Sequence, residues 1–172
     1  VDADGVWFTP DGAGGPLRHL GQDGTLGEPI DAMEVKGSHG DLTSVLLSLD
    51  EKEATSCGGV LRASDDLVWR TCDYTVESFS PDGEWVAATD PYLDGLGQNT
   101  VAILAADTGE VQAHFEIEDG VIVDRRWEDS DHVLVLTRAT NAHTWQVMRM
   151  GRDGSVEQAV APEVGPDYGP PF

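Results

Sequence analysis

The chain has 172 residues, enough for one domain with a sizeable core. Ten Lys and Arg stand against 32 Asp and Glu, a formal net charge of −22. That excess argues against nucleic acid and anionic membranes as partners, and favours cations or basic proteins at a solvated acidic surface. No apolar run reaches the roughly 18 residues that a membrane span needs, and no signal-like start is present. The first residue is Val1, without Met, so the chain reads as a piece of something longer.

In chain order, Val6-Trp7-Phe8 reads as a middle strand, Leu17 to Leu20 as the next, and Thr25 to Ile30 as the last of a first unit that lacks its opening strand. The glycine-rich Gly12 to Pro16 ends in Pro and opens no helix, so it is no phosphate loop. A second unit has Leu42 to Leu49 as its most apolar strand. The clearest unit is Phe79 to Val111. Ser80-Pro81-Asp82-Gly83 is turn chemistry: Pro sets φ, Asp bonds the local backbone, and Gly accepts positive φ. Glu84 to Thr89 and Thr100 to Ala105 follow as short apolar strands, and Asp107-Thr108-Gly109 turns into an alternating strand, Val111 to Phe115. Val121 to Val123 opens a fourth unit. His132 to Leu136 is its core strand, Trp145 to Met150 alternates, and Ser155 to Val160 closes it. Ala161 to Phe172, with four prolines and two glycines, reads as a tail without regular structure.

Four turns align: Gln22-Asp23-Gly24, Ser64-Asp65-Asp66, Asp107-Thr108-Gly109 and Arg152-Asp153-Gly154. Their last residues lie 42, 43 and 45 positions apart. An apolar residue follows each by two, namely Leu26, Val68, Val111 and Val156. Gly40 and Gly83 repeat after 43 positions, and Phe79 and Trp127 after 48. Repeats of this length with four strands each are what propeller blades give. Runs such as Ser44 to Leu49 and Val133 to Leu136 are apolar on both faces. Antiparallel strands need such runs where blades stack on both sides. A β-sandwich also accepts short strands but does not call for a four-fold repeat.

Phe79-Ser80-Pro81-Asp82-Gly83, with its following strands and Asp107-Thr108-Gly109-Glu110-Val111, resembles the repeat of TolB-like and WD40-like β-propellers. The resemblance covers about one blade and implies a scaffold carrying no catalytic residues. The expected fold is therefore all-β, a β-propeller segment of about four four-stranded antiparallel blades. The blades are expected near residues 1–31, 32–76, 77–120 and 121–161, with a Pro/Gly-rich tail at 162–172.

Folding Cys57 to Cys72 into a hairpin about Ser64-Asp65 sets Val60 opposite Trp69 and Cys57 opposite Cys72. A non-hydrogen-bonded antiparallel pair has the spacing a disulfide needs. A Cys57–Cys72 disulfide is expected, and with it an exported, extracytoplasmic or secreted setting, any membrane anchor lying in sequence outside the chain. The two cysteines have no Cys or His neighbours for a zinc site.

His19, His39, His114, His132 and His143 show no metal-ligand spacing and read as turn or surface residues. Asp2-Ala3-Asp4-Gly5 has a calcium-loop flavour but lacks the further acidic positions, and fits a strand-initiating turn. The five tryptophans, Trp7, Trp69, Trp85, Trp127 and Trp145, fall in strands and suit packing between blades. The surface candidate is the loop Asp90 to Asn99, in which Asp90, Tyr92, Asp94 and Asn99 are the proposed binding residues. An ordinary connector is the competing reading.

No catalytic constellation, metal site or cofactor motif emerges, so the expected function is a non-catalytic scaffold or binding module, part of a larger propeller or chain. The alternatives are a propeller-type enzyme, such as a calcium-dependent hydrolase or lyase, or an accessory propeller of a multidomain enzyme or lipoprotein. Four blades rarely close a ring. The expected partner is therefore a protein or a second copy that completes the propeller and covers end faces carrying Val6, Phe8, Val133 and Val135.

Overall fold

Short β-branched and aromatic runs, punctuated every few residues by Gly-, Asp- and Pro-containing turns, can satisfy their backbone only by pairing with sequence neighbours. The computed structural model describes residues 5–9, 16–50, 52–53, 55–62, 66–91, 97–139, 143–165 and 170, and there the chain is all-β. A two-stranded sheet pairs β1 (Gly5–Phe8) with β2 (Arg18–Gly21). The second sheet contains β3 (Glu34–His39), β4 (Leu42–Asp50), β5 (Thr55–Arg62) and β6 (Asp66–Thr71). The third contains β7 (Thr75–Phe79), β8 (Trp85–Thr89), β9 (Thr100–Ala105) and β10 (Val111–Glu116). The fourth contains β11 (Gly120–Trp127), β12 (His132–Ala139), β13 (Thr144–Gly151) and β14 (Val156–Val164). In the three complete sheets the strands lie in sequence order, each antiparallel to the next.

The repeated turns behave alike. Gly24, Gly109 and Gly154 have φ of 83°, 74° and 87°, a region that a side chain enters only with strain. Gly83 adds a packing reason, since its φ is 76° and a Cβ there would meet the His39 ring. His39 in turn donates from Nε2 to the Pro81 carbonyl at 3.1 Å, which docks the turn of the third sheet on the second.

Successive sheets stack through apolar faces. Leu17, Ile30, Ala32, Val45 and Leu61 join the first to the second. Val60, Val76, Phe79, Val86, Ala88, Ala102 and Leu104 join the second to the third. Ala87, Val101, Ile103, Ala113, Phe115, Val133, Val135 and Met150 join the third to the fourth. Thr100–Ala105 is thus buried on both faces, which is why its apolar run is continuous. Trp7, Trp69, Trp85 and Trp127 pack at these junctions as expected, whereas Trp145 is buried on the other face of β13. The Trp69 indole donates to the Ala106 carbonyl at 2.8 Å, and the Trp127 indole to the Ser78 carbonyl at 3.0 Å.

The structure changes three expectations. Thr25 to Ile30 is not a regular strand; it runs beside β2 through the bridges Leu20–Leu26 and Leu17–Ile30 and through the hydrogen bonds from the Gly27 N–H to the His19 carbonyl and from the Gly21 N–H to the Thr25 carbonyl. Gly27 and Pro29 explain this, one weakening a strand and the other unable to donate to a ladder. Among the described residues the first blade therefore has two regular strands. At the other end, β14 continues to Val164, through the first four residues of the stretch Ala161 to Phe172 that read as lacking regular structure. Pro162 is tolerated because β14 is an edge strand. Finally, Val133 and Val135 do not lie on an open end; both are fully buried against the third sheet. The strand before them aligns as expected, Trp127 opposite Val133 where Phe79 is opposite Val86, but its turn is one residue shorter, which rotates the two valines inward.

Candidate functional site

The expected disulfide is present. Gly58, Gly59 and Val60 pair with Thr71, Arg70 and Trp69, and one step beyond them Cys57 is bonded to Cys72, with Cα atoms 4.1 Å apart. The register slips by one at Leu61, which pairs with Leu67, so the hairpin carries a bulge on its turn side only.

Of the loop residues, Tyr92 and Asp94 lie outside the described residues, as do Asp2 to Asp4. Asp90 and Asn99 mark the two ends of the loop and are tied to the sheet. The Asp90 N–H donates to Thr100 Oγ1 at 3.0 Å, and the Asn99 carbonyl accepts from the Ile117 N–H at 2.8 Å. Around Asp90 the fold gathers His114 of β10 and Tyr74, which immediately precedes β7. His114 Nε2 is 3.9 Å from Asp90 Oδ1, and the Tyr74 ring centroid is 6.1 Å from that of His114. Burial raises the Tyr74 phenol above its ordinary value, and the charges of Asp90 and Asp73 add to this. The three groups gather at the third sheet, Asp90 just past β8, His114 on β10 and Tyr74 just before β7, two residues beyond Cys72. They offer hydrogen bonds and one aromatic face for a ligand, and nothing in their spacing forms a nucleophile–base pair.

A second group was not anticipated. On the fourth sheet Arg149 meets Glu128, Asp129 and Glu157, with Nη2 also 3.0 Å from His132 Nδ1. His132 Nδ1 lies 2.9 Å from Asp129. The hydrogen bond with Glu128 raises the Arg149 pKa further above its ordinary value. The Asp131 N–H, with help from His132, holds Asp129 below the usual carboxylate range. Glu128, Asp129 and His132 present ligand atoms within 4.8 Å of one another. The guanidinium already supplies the positive charge that such a group would otherwise draw from a metal. The sequence signal was available: Arg149 interrupts the apolar side of an alternating strand, opposite the acid-rich turn Glu128 to Asp131.

Many other carboxylates serve turns. Asp23 and Asp153 accept hydrogen bonds from Thr25 and Ser155 two residues on, and both are held below the ordinary carboxylate value by those bonds. Partial burial opposes the same shift at Asp82, but bonds from Ser80 and the Glu84 N–H prevail. Between the third and fourth sheets, Gln112, Asp131, His132, Arg152 and Asp153 line an open cleft of about 330 Å³. Its polar groups are largely committed: Arg152 is paired with Asp131 and lies 5.1 Å over the Trp85 ring, and Gln112 donates to the Arg152 carbonyl. No helix among the described residues is long and apolar enough to cross a membrane.

At the first sheet, Val6, Phe8, Leu20 and Leu26 share the face turned away from the second sheet, as the pairing of Val6 with Leu20 and the bridge from Leu20 to Leu26 require. Val6, Leu20 and Leu26 are 45%, 41% and 50% exposed. The opposite face carries Trp7, which packs on the junction with the second sheet. Comparison with known proteins finds no matching family model and no matching curated protein.

Proposed function

We propose that the chain is a non-catalytic β-propeller scaffold of an exported protein, and that it binds a protein through the outer face of its first, incomplete blade. The observation that carries this reading is the exposed apolar row Val6, Leu20 and Leu26, on the sheet that has two regular strands among the described residues where each of the others has four. Apolar surface grouped in this way marks an interaction site. The disulfide supports an oxidising, extracytoplasmic setting. The TolB-like and WD40-like resemblance supports a scaffold role, and the loop at Asp90 is the place where a smaller ligand would add specificity.

Sedimentation velocity over a range of protein and salt concentrations tests the proposal. The free row should self-associate or bind a fluorescent apolar dye, and association should strengthen with salt as the −22 charge is screened. Leu20→Glu should abolish both signals without changing the circular dichroism spectrum. A wild-type chain that stays monomeric at high salt and binds no dye would overturn the reading.

A further inference from the structure

The third and fourth sheets can be superposed by their pairing alone. Phe79 opposite Val86 corresponds to Trp127 opposite Val133, so Ala87 corresponds to Leu134. Ala87 faces Ile103, and Ile103 faces Ala113. At the matching positions Leu134 faces Arg149, and Arg149 faces Glu157. Ile103 and Ala113 belong to the buried junction between the third and fourth sheets. The last blade therefore carries an arginine and a glutamate where the previous blade carries the centre of its contact with the next.

Around them the outer face keeps apolar residues, among them Trp145, which alternates with Val147 and Arg149 and is 3% exposed. Leu136 pairs with Val147, Val147 pairs with Val160, and Val160 is 37% exposed. The centre, however, is the Arg149 network, with three carboxylates against one guanidinium, so two negative charges stay uncompensated when His132 is neutral. In water this costs little, since the Arg149 and Glu157 side chains remain 28% and 66% exposed. Under another blade each ion would lose its hydration, and the excess charge would have no partner. Terminal repeats of stacked proteins carry polar outer faces for this reason.

We infer that the outer face of β11–β14 is an end cap: an ion-pair network that replaces an interblade core and stops the series at the fourth blade. The blade series grows, or docks a partner, from the first blade only. A second copy cannot close a ring head to tail through this face. The cap rests on the pairing of the sheets, whereas docking at the first blade rests on the function proposed above, so the restored variant tests the cap alone and Leu134→Lys tests it against first-blade association.

The test restores the residues of the third blade. Arg149→Ile with Glu157→Ala, placed in a Leu20→Glu background, silences the first blade and leaves the fourth as the only apolar end. This variant should gain self-association by about tenfold or more in sedimentation velocity, with increased dye binding. Loss of the native circular dichroism spectrum would leave the second arm to decide. In it, Leu134→Lys in the otherwise unchanged chain should leave the sedimentation profile at every salt concentration as it was. A restored but folded variant that stays monomeric and dye-silent would overturn the cap, and so would a Leu134→Lys variant that abolishes association.

Discussion

Ile103→Ala and Arg149→Ala form a paired experiment, because the two residues occupy matching positions on adjacent sheets. Ile103 is fully buried between the third and fourth sheets, in contact with the cluster of Val101, Phe115, Val133 and Val135. Truncating it removes three carbons from a packed junction and leaves a cavity, a loss of roughly 3 kcal/mol within the usual range of about 2–5. For a chain of this size that lowers Tm by about 6–12 °C. Arg149 sits in the same place but faces water, so Arg149→Ala should move the melt far less. Thermal melts and urea unfolding of both variants, read side by side, check this. Equal losses for the two variants would refute the reasoning, since they would mean that the outer face of β13 is as enclosed as that of β9.

Reducing the Cys57–Cys72 bond should cost about 3 kcal/mol, the loop-closure value for a separation of 15 residues, and the oxidised chain should be lighter by two hydrogens in non-reducing mass spectrometry. Trp69→Phe keeps an aromatic ring but loses the indole donor to Ala106 and part of the ring volume, and should destabilise by about 1 kcal/mol or more in urea unfolding. The carboxyls of Asp23, Asp82, Asp129 and Asp153 all have folded pKa values below the unfolded value of 3.8. Their stabilisation is therefore complete above the unfolded value and is lost as pH falls through the folded ones. The four-fold Asp→Asn variant should show a flatter acid limb below about pH 4 in a pH titration of unfolding.

The local level of this fold was legible in the sequence. Turn glycines at 43-residue and 45-residue spacings mark hairpins whichever neighbours they later acquire, because positive φ is a demand of the turn itself. The disulfide was legible for the same reason: one hairpin register sets Val60 opposite Trp69 and carries Cys57 to Cys72, and the bulge at Leu61 lies on the far side of it. What a strand's two faces meet is a different kind of fact, fixed by sheets that are far apart in sequence. The run from Val133 to Leu136 looks uniformly apolar, and only the one-residue shorter turn before it, acting through β alternation, sends Val133 and Val135 inward and Leu134 and Leu136 outward. The same blindness hid the cap. The alternation from Trp145 to Met150 was visible beside the unbroken run at Thr100–Ala105, but its meaning needed the stacked third sheet, which covers Met148 and Met150 and leaves Arg149 on the other face. The grouping of Asp90, His114 and Tyr74 was equally beyond sequence reading, since the loop after β8, strand β10 and the entry to β7 meet only once the third sheet is folded. Side-chain pattern is written along one strand, whereas burial is a property of two surfaces, and the tertiary structure alone supplies the second.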